Sequence, residues 1–327
     1  MTILDAVIQG VVQGLTEFLP VSSSGHLAIT QHILGVSGES NLFFDVMLHI
    51  GTLVAVIIFY HKLIGSLIVE FFRMLKDIFT GKFSWKNMNY ERNLIMMLII
   101  GLLPLVLVFI PIPGTGMKVK DLADVFSASP VLLVTAISLC VTSALLLVGI
   151  ICNKRNSQVS FKHMKGSSEG AKGRESYTVV DALCVGLMQC VAAIFPGISR
   201  SGSTLAVGEM RGINKQKALD YTFVLGTPAI IAAAAMEGLD VVKNPASANV
   251  ELVPTLIGMA VSAVVGYLAI WIFKWFLKSD KMIIFVVYTA VVGIGLIVVS
   301  IIEIMNGTNL FTGAPIGNNL FPMPVAG

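Results

Sequence analysis

Two short polar segments interrupt an otherwise apolar chain of 327 residues, and the first to consider is suited to binding an anion. Residues 196–204 read PGISRSGST, with Arg200 among hydroxyl side chains and glycines. An arginine guanidinium can bind two phosphate oxygens at once, and free N–H groups at the start of a helix attract the same anions. The segment is therefore predicted to bind a phosphate group through Ser199, Arg200, Ser201, Gly202 and Thr204.

The second segment supplies groups that can carry out a reaction. Residues 10–26 read GVVQGLTEFLPVSSSGH, in which Gln13 and Glu17 are four apart and so share a helix face. Three hydroxyls and an imidazole follow, namely Ser22, Ser23, Ser24 and His26. Gln13, Ser22 and Ser24 are predicted to contact the substrate. A carboxylate, a serine and a histidine opposite a guanidinium are groups that phosphoryl transfer uses, usually with a divalent metal.

We assign a role to each of these side chains. Glu17 is predicted to hold a cation or to activate the attacking group, because a desolvated carboxylate is both a metal ligand and a base. Ser23 is the predicted nucleophile, and His26 is predicted to protonate the leaving phosphate or to orient the serine. The alternatives are structural: an ion pair between Arg200 and Glu17, helix capping by the serines, and a hydrogen-bonding role for His26 in lining a cavity.

The composition predicts an all-α membrane protein. Charged residues make up 13% of the chain, about half the usual ~25%, and the mean hydropathy is +0.85. Residues 1–35 lack the features of a signal peptide and are expected to be mature structure. The cysteines form no CxxC pair and are interpreted as buried structural thiols. Six runs are long enough to cross a bilayer: 44–61, 93–112, 129–152, 218–237, 252–273 and 282–304.

Residues 3–19 and 179–195 run into the two polar segments and are predicted to form two re-entrant helical hairpins. A proline followed by hydroxyl residues ends one helix and caps the next, and irregular backbone inside a membrane must be buried in protein or line a cavity. The hairpins also resemble each other, since an offset of 176 residues aligns Gly10 with Gly186, Gln13 with Gln189, Pro20 with Pro196 and Ser23 with Ser199. Because three spans follow each hairpin, the sequence predicts an inverted-topology repeat whose tips meet.

The repeat divides the chain into 1–152, a loop at 153–178, a second half at 179–304 and a polar tail at 305–327. Under this topology nearly all the Lys and Arg residues lie on one side, and the other side carries only Lys118, Lys120 and Lys243. By the positive-inside rule the basic side is cytoplasmic, so the first hairpin opens outward. His49, Asp45 and Asp220 are weaker candidates, each with an equal or stronger structural interpretation.

At QGLTEFLPVSSSGH and PGISRSGST the sequence resembles the undecaprenyl-diphosphate phosphatases of bacteria, the bacitracin-resistance phosphatases, over about residues 1–304. The resemblance implies a membrane hydrolase that converts the C55 diphosphate carrier lipid to its monophosphate outside the cytoplasmic membrane, so that the lipid is reused in cell-wall synthesis. It implies catalytic roles for Glu17, Ser23, His26 and Arg200, and a divalent cation, Mg²⁺ or Ca²⁺. Gln13 stands where many members have a second glutamate, so a metal at Glu17 would have Gln13 as its neighbouring ligand.

The partners expected from the resemblance are the isoprenyl diphosphate lipid and the bilayer. The sequence gives no support for nucleic acid as a partner, and it leaves open whether the protein is a homodimer. The rival hypothesis is a secondary transporter or flippase of an anionic lipid phosphate. Secondary transporters are also built from inverted repeats with broken helices. That hypothesis explains Arg200 but accounts less well for Glu17, Ser23 and His26.

Overall fold

A computed structural model of the chain describes residues 2–35, 42–85, 88–127, 129–163, 173–243 and 251–316. Among these residues the regular secondary structure is helical, and the helices are joined by turns and short irregular segments. In chain order the helices are α1 (Ile3–Phe18), α2 (Ser23–Leu34), α3 (Leu42–Phe59), α4 (His61–Phe79), α5 (Tyr90–Leu102) with a 3-10 continuation (Leu103–Phe109), α6 (Asp121–Ser127), α7 (Leu133–His163), α8 (Val179–Ile194), α9 (Arg200–Met210), α10 (Lys215–Lys243), α11 (Leu252–Lys278) and α12 (Ile283–Asn306).

The two predicted hairpins are pairs of helices broken at the two prolines. Thr2 caps α1 in a capping box with Asp5, and Thr178 caps α8 in the same way with Asp181. Both helices are 16 residues long. Each ends in an extended residue directly before a proline, because the proline ring disfavours helical backbone at the preceding position. The chain then turns back as α2 or α9, each of which packs against its own partner helix.

The tips of the two hairpins meet, as the repeat predicts. A Cβ atom built on Gly25 would lie 3.1 Å from the Cα of Gly197, and one on Gly202 would lie 2.9 Å from the Cβ of Pro20. The Ser201 hydroxyl donates to the Leu19 carbonyl oxygen at 3.3 Å, which joins the second tip to the end of α1. The two polar segments that are 176 residues apart in sequence therefore form one site.

Helices from one half pack on helices from the other half. Helix α1 lies against α11, and α8 lies against α5. Both contacts are close at matched glycines, since a Cβ on Gly10 would lie 2.7 Å from the Gly258 carbonyl oxygen and one on Gly186 would lie 2.3 Å from the Gly101 carbonyl oxygen. Small residues allow this close approach between membrane helices, so each hairpin is held by the opposite half.

All six predicted spans fall on helices. By length and apolar composition four of the described helices qualify as membrane spans, namely Tyr90–Phe109, Leu133–Asn156, Leu252–Lys278 and Ile283–Asn306. Helices α3 and α4 make a fifth if they are counted as one span with an 84° bend. The number six therefore stays a prediction.

Three segments differ from the sequence expectation. Helix α4, which lies at 84° to α3, falls between the first two predicted spans, where no helix was assigned. It buries Glu70 against Arg92 and exposes an apolar face that includes Phe72. Helix α7 continues to His163, well into the loop predicted at 153–178, while residues 164–172 lie outside the described residues. The first part of the predicted tail folds back after α12, with a bridge between Thr308 and Pro315, and 317–327 also lie outside the description.

Candidate active site

Glu17 is the centre of the site at the meeting point of the tips. It lies in the last turn of α1 with only 2% of its side chain exposed. The Ser23 hydroxyl donates to Glu17 Oε2 at 2.6 Å, and the Gln13 amide donates to the same oxygen at 3.1 Å. Arg200 Nη2 binds the other carboxylate oxygen, Oε1. The predicted carboxylate, nucleophile and phosphate-binding groups are therefore in direct contact.

Arg200 is the first residue of α9 and lies beside α10. Its guanidinium approaches Gly226, where an added Cβ atom would lie 3.5 Å from the guanidinium carbon. A narrow cleft of about 10 Å³ is lined by Glu17, Arg200, Ser201, Thr222 and Gly226, among others. This is about the space that one water molecule needs. The ion pair between Arg200 and Glu17, which the sequence left open as the structural alternative, is present here.

Most of the predicted phosphate-binding hydroxyls have structural partners. Ser22 is the N-cap of α2, at a φ of +73°, and accepts from the Gly25 amide. Ser199 is the N-cap of α9 and accepts from the Gly202 amide. The alternative of helix capping is therefore realised at both positions, whereas the next residue of the first tip, Ser23, has its hydroxyl on Glu17.

The remaining hydroxyls are bonded within the tips. Ser24 lies 3.3 Å from the Ser22 hydroxyl, and Ser201 lies 3.4 Å from the Ser199 hydroxyl. Thr204 donates to the Arg200 carbonyl oxygen at 2.7 Å. These bonds hold the residues at the two helix starts in place, with the side chains of the first turns bonded to one another or to the backbone.

The His26 imidazole is held away from Ser23. Its Nδ1 lies 2.8 Å from the Ser22 carbonyl oxygen, and its Nε2 lies 2.8 Å from the Tyr288 hydroxyl. Both ring nitrogens are engaged by these groups, so the imidazole does not orient the Ser23 hydroxyl directly. The hydrogen-bonding alternative is therefore realised at His26, and protonation of a leaving group stays a prediction.

Two residues outside the predicted set belong to the site. His49 Nε2 lies 3.7 Å from Glu17 Oε2, while its Nδ1 is bonded to the Asp45 carbonyl oxygen at 2.7 Å. His49 was only a weaker candidate in the sequence, because a structural interpretation was equally good. Tyr288 gave no signal, because it is one aromatic residue in an apolar span, 262 positions from His26.

Asp45 and Asp220 have structural partners, as expected. The Gln31 amide donates to Asp45 Oδ1 at 3.0 Å, which ties α2 to the first turn of α3. The Tyr60 hydroxyl donates to Asp220 Oδ1 at 2.9 Å, and Lys274 lies 3.2 Å from the same oxygen.

The donor set at Glu17 fits a hard cation that is shared with a substrate. The Gln13 amide turns its nitrogen to Glu17, and its oxygen Oε1 is buried without a hydrogen-bond partner in the described structure. Oxygen donors of this kind are what Mg²⁺ and Ca²⁺ prefer. Within the described ranges no three His, Cys, Asp or Glu side chains form a metal site by themselves. A cation here would therefore need further oxygens from the phosphates.

These features define a class: an all-α integral membrane protein in which two hairpin tips bring a carboxylate, a serine and an arginine together. The sequence matches the family model described as bacitracin resistance protein BacA over residues 6–295. The chain belongs to this family, which confirms the resemblance noted in the two motifs.

The sequence is similar to those of several named relatives over nearly their whole lengths. An undecaprenyl-diphosphatase of Alkaliphilus metalliredigens is 38% identical, covering 90% of this chain and 97% of the relative. Those of Methanosphaera stadtmanae and Bacteroides fragilis are 35% and 33% identical, covering 92% and 90% of this chain and 99% and 97% of the relatives.

Proposed function

We propose that this protein hydrolyses undecaprenyl diphosphate to undecaprenyl phosphate and inorganic phosphate, and so recycles the cell-wall carrier lipid and confers bacitracin resistance. The observation that carries the proposal is the junction at Glu17, where a serine hydroxyl at 2.6 Å and a guanidinium bind the two oxygens of one buried carboxylate. The relatives named as undecaprenyl-diphosphatases support an enzyme acting on a diphosphate anhydride. They do not support the alternative of a transporter or flippase.

The first step proposed is the opening of the ion pair. The terminal phosphate draws the Arg200 guanidinium from Glu17 Oε1, since a doubly charged phosphate attracts it more strongly than one carboxylate. Glu17 Oε1 is then released, while Oε2 keeps the Ser23 hydroxyl and can accept its proton. Binding of the substrate thereby frees one oxygen of the carboxylate that is bonded to Ser23.

The proposed chemistry is a double displacement at phosphorus. Glu17 takes the Ser23 proton as the serine oxygen attacks the terminal phosphorus, and the anhydride P–O bond breaks to release the lipid monophosphate. Arg200 and the helix N-termini stabilise the charge on the transferred group, and His26 gives a proton to the departing phosphate. Neutral His26 then takes a proton from a water molecule, which attacks the phosphoserine; inorganic phosphate leaves, and the proton on Glu17 returns to the serine oxygen.

A divalent cation, Mg²⁺ or Ca²⁺, is proposed to be held by Glu17 and the free Gln13 Oε1 together with oxygens of the diphosphate. When bound, it would neutralise charge on the phosphates. Only one of these protein ligands is anionic, so cation binding is expected to depend strongly on the presence of the lipid.

The topology proposed for the membrane has six spans, with hairpins that enter from opposite faces as an inverted repeat. Its support is the matched capping boxes, the equal lengths of α1 and α8 and the exchange of packing partners between the halves. The placement of basic residues supports a site in the cytoplasmic membrane that is open to the outer face. The isoprenyl tail would stay in the bilayer while the diphosphate reaches the tips.

The test is release of inorganic phosphate from undecaprenyl diphosphate and Mg²⁺ by the purified protein in detergent. Ser23→Ala is expected to abolish release while binding of the lipid diphosphate is retained. The matched control is Thr16→Val, because Thr16 adjoins Glu17 but bonds only the Val12 carbonyl oxygen of its own helix, at 2.6 Å. If the wild-type protein releases no inorganic phosphate, the proposed phosphatase activity is refuted. Substantial release by Ser23→Ala with an inactive His26→Ala would instead identify the histidine or a water as nucleophile.

A further inference from the structure

Tyr288 of α12, in the second half of the chain, reaches His26 of the first tip. Its hydroxyl lies 2.8 Å from His26 Nε2, and the two rings stack with centroids 5.6 Å apart and planes at 13°. The ring is 43% exposed, so its own burial does not fix it. The histidine is therefore held at one nitrogen by its own hairpin and at the other by α12.

The contact on the hairpin side determines which nitrogen of His26 is free for chemistry. A backbone carbonyl oxygen can only accept a hydrogen bond, so Nδ1, at 2.8 Å from the Ser22 oxygen, must carry hydrogen. Nε2 is then the nitrogen that gains and loses a proton. A tyrosine hydroxyl can accept from a protonated Nε2 or donate to a neutral one, so Tyr288 can hold the ring in both states without moving.

The helix that carries Tyr288 is fixed close to this point. The Ser143 hydroxyl of α7 donates to the Val286 carbonyl oxygen at 2.8 Å. One turn beyond Tyr288, α7 approaches α12 so closely that a Cβ on Gly293 would lie 2.7 Å from the Cys140 sulfur and 2.9 Å from the Ala136 carbonyl oxygen. Rotation or sliding of α12 would break these contacts, so the Tyr288 hydroxyl keeps a fixed position relative to His26.

We infer that Tyr288 is a positioning residue that holds His26 with Nε2 directed outward, ready to protonate the leaving lipid phosphate. This inference rests on the proposed function. When the substrate binds, its bridging oxygen replaces the Tyr288 hydroxyl as the acceptor of the Nε2 hydrogen, and it takes that proton as the anhydride bond breaks. His26 is left neutral, with its Nδ1–H still donating to the Ser22 carbonyl oxygen. Tyr288 then donates to Nε2 until the water that attacks the phosphoserine gives its proton to that nitrogen.

The first test removes the hydroxyl of Tyr288 and keeps its aromatic ring. Tyr288→Phe keeps the stacked ring and is expected to lower kcat about five- to tenfold with KM within about twofold, because the lost bond positions a group that acts in the transition state. In a His26→Ala background the same change is expected to have no further effect, since the two residues act as a unit. The control is Tyr267→Phe, which removes a hydroxyl from another partly exposed tyrosine, on α11.

Three outcomes would overturn the inference: unchanged kcat, a rise in KM alone, or a loss that adds fully to that of His26→Ala. A second measurement does not need activity. In ¹⁵N NMR spectra of the protein in detergent, with His26 assigned through His26→Ala, Tyr288→Phe is expected to shift the Nε2 signal and leave Nδ1 in place. An unmoved Nε2 signal would refute the contact itself, whereas an inactive wild-type protein with a shifted signal would refute only the proposed function.

Discussion

Variants of the Arg200–Glu17 ion pair are expected to change the stability of the protein and its activity in different ways. Arg200→Met removes the charge and keeps most of the side-chain length, leaving a carboxylate that is 2% exposed with only Ser23 and Gln13 as donors. Removing one partner of a buried pair costs about 3–5 kcal/mol. Arg200 is 30% exposed, so the lower end applies, about 3 kcal/mol. At roughly 2 °C per kcal/mol the melting temperature is expected to fall by about 6 °C.

A double variant tests whether the loss of stability comes from the unpaired carboxylate of Glu17. Glu17→Gln combined with Arg200→Met removes both charges, so stability is expected to return to within about 1 kcal/mol of the wild type, because no buried charge is left unpaired. Phosphate release should nevertheless stay at least about a hundredfold lower, since both groups act in the proposed reaction. The assays are thermal unfolding followed by tryptophan fluorescence in one detergent, and phosphate release on the same samples.

The control for a surface pair is Arg73→Met on α4, where the arginine is 68% exposed and 3.4 Å from Glu70. Its expected effect is below about 0.5 kcal/mol. A melting temperature of Arg200→Met equal to that of the wild type would show that the pair does not stabilise the fold. A double variant no more stable than Arg200→Met would show that the cost does not come from the unpaired carboxylate, and the reasoning would be wrong.

The remaining predictions concern the guanidinium, the metal, the tip backbone and access. Arg200→Lys keeps the charge but loses the planar fork, so phosphate release should fall at least about tenfold; near-normal turnover would make the residue a simple counter-charge. Gln13→Glu adds an anionic ligand and should lower the Mg²⁺ concentration needed for half-maximal phosphate release, and an unchanged requirement would place the cation elsewhere. Gly197→Ala should destabilise the protein by several kcal/mol, because φ is +98° and the Cβ would lie 2.4 Å from the Thr135 carbonyl oxygen, whereas Gly65→Ala, with open space around it, should be neutral or stabilising in thermal unfolding. A cysteine placed at Ser23 in a background without native cysteines should react with an impermeant thiol reagent added outside, and labelling only from the cytoplasm would reverse the proposed orientation.

The sequence by itself determined the features that depend on a few neighbouring residues. The breaks at Pro20 and Pro196 could be predicted because proline acts on the residue before it, and composition alone indicated the membrane. The likeness of the two hairpins was also readable, because matched glycines and glutamines keep their spacing in the two segments. These local features were enough to predict the two hairpin tips, their polar residues and the family that the sequence resembles.

Only the tertiary structure decided which of those residues act together. The serine hydroxyls of the first tip are equivalent in sequence, yet Ser22 caps α2 while Ser23 bonds Glu17, a difference set by the single residue at which the helix begins. The pairing of Arg200 with Glu17 spans 183 positions and that of Tyr288 with His26 spans 262. No helical period relates residues so far apart; their contact depends on how α1, α9 and α12 pack, and this is fixed by close approaches such as Gly293 against α7.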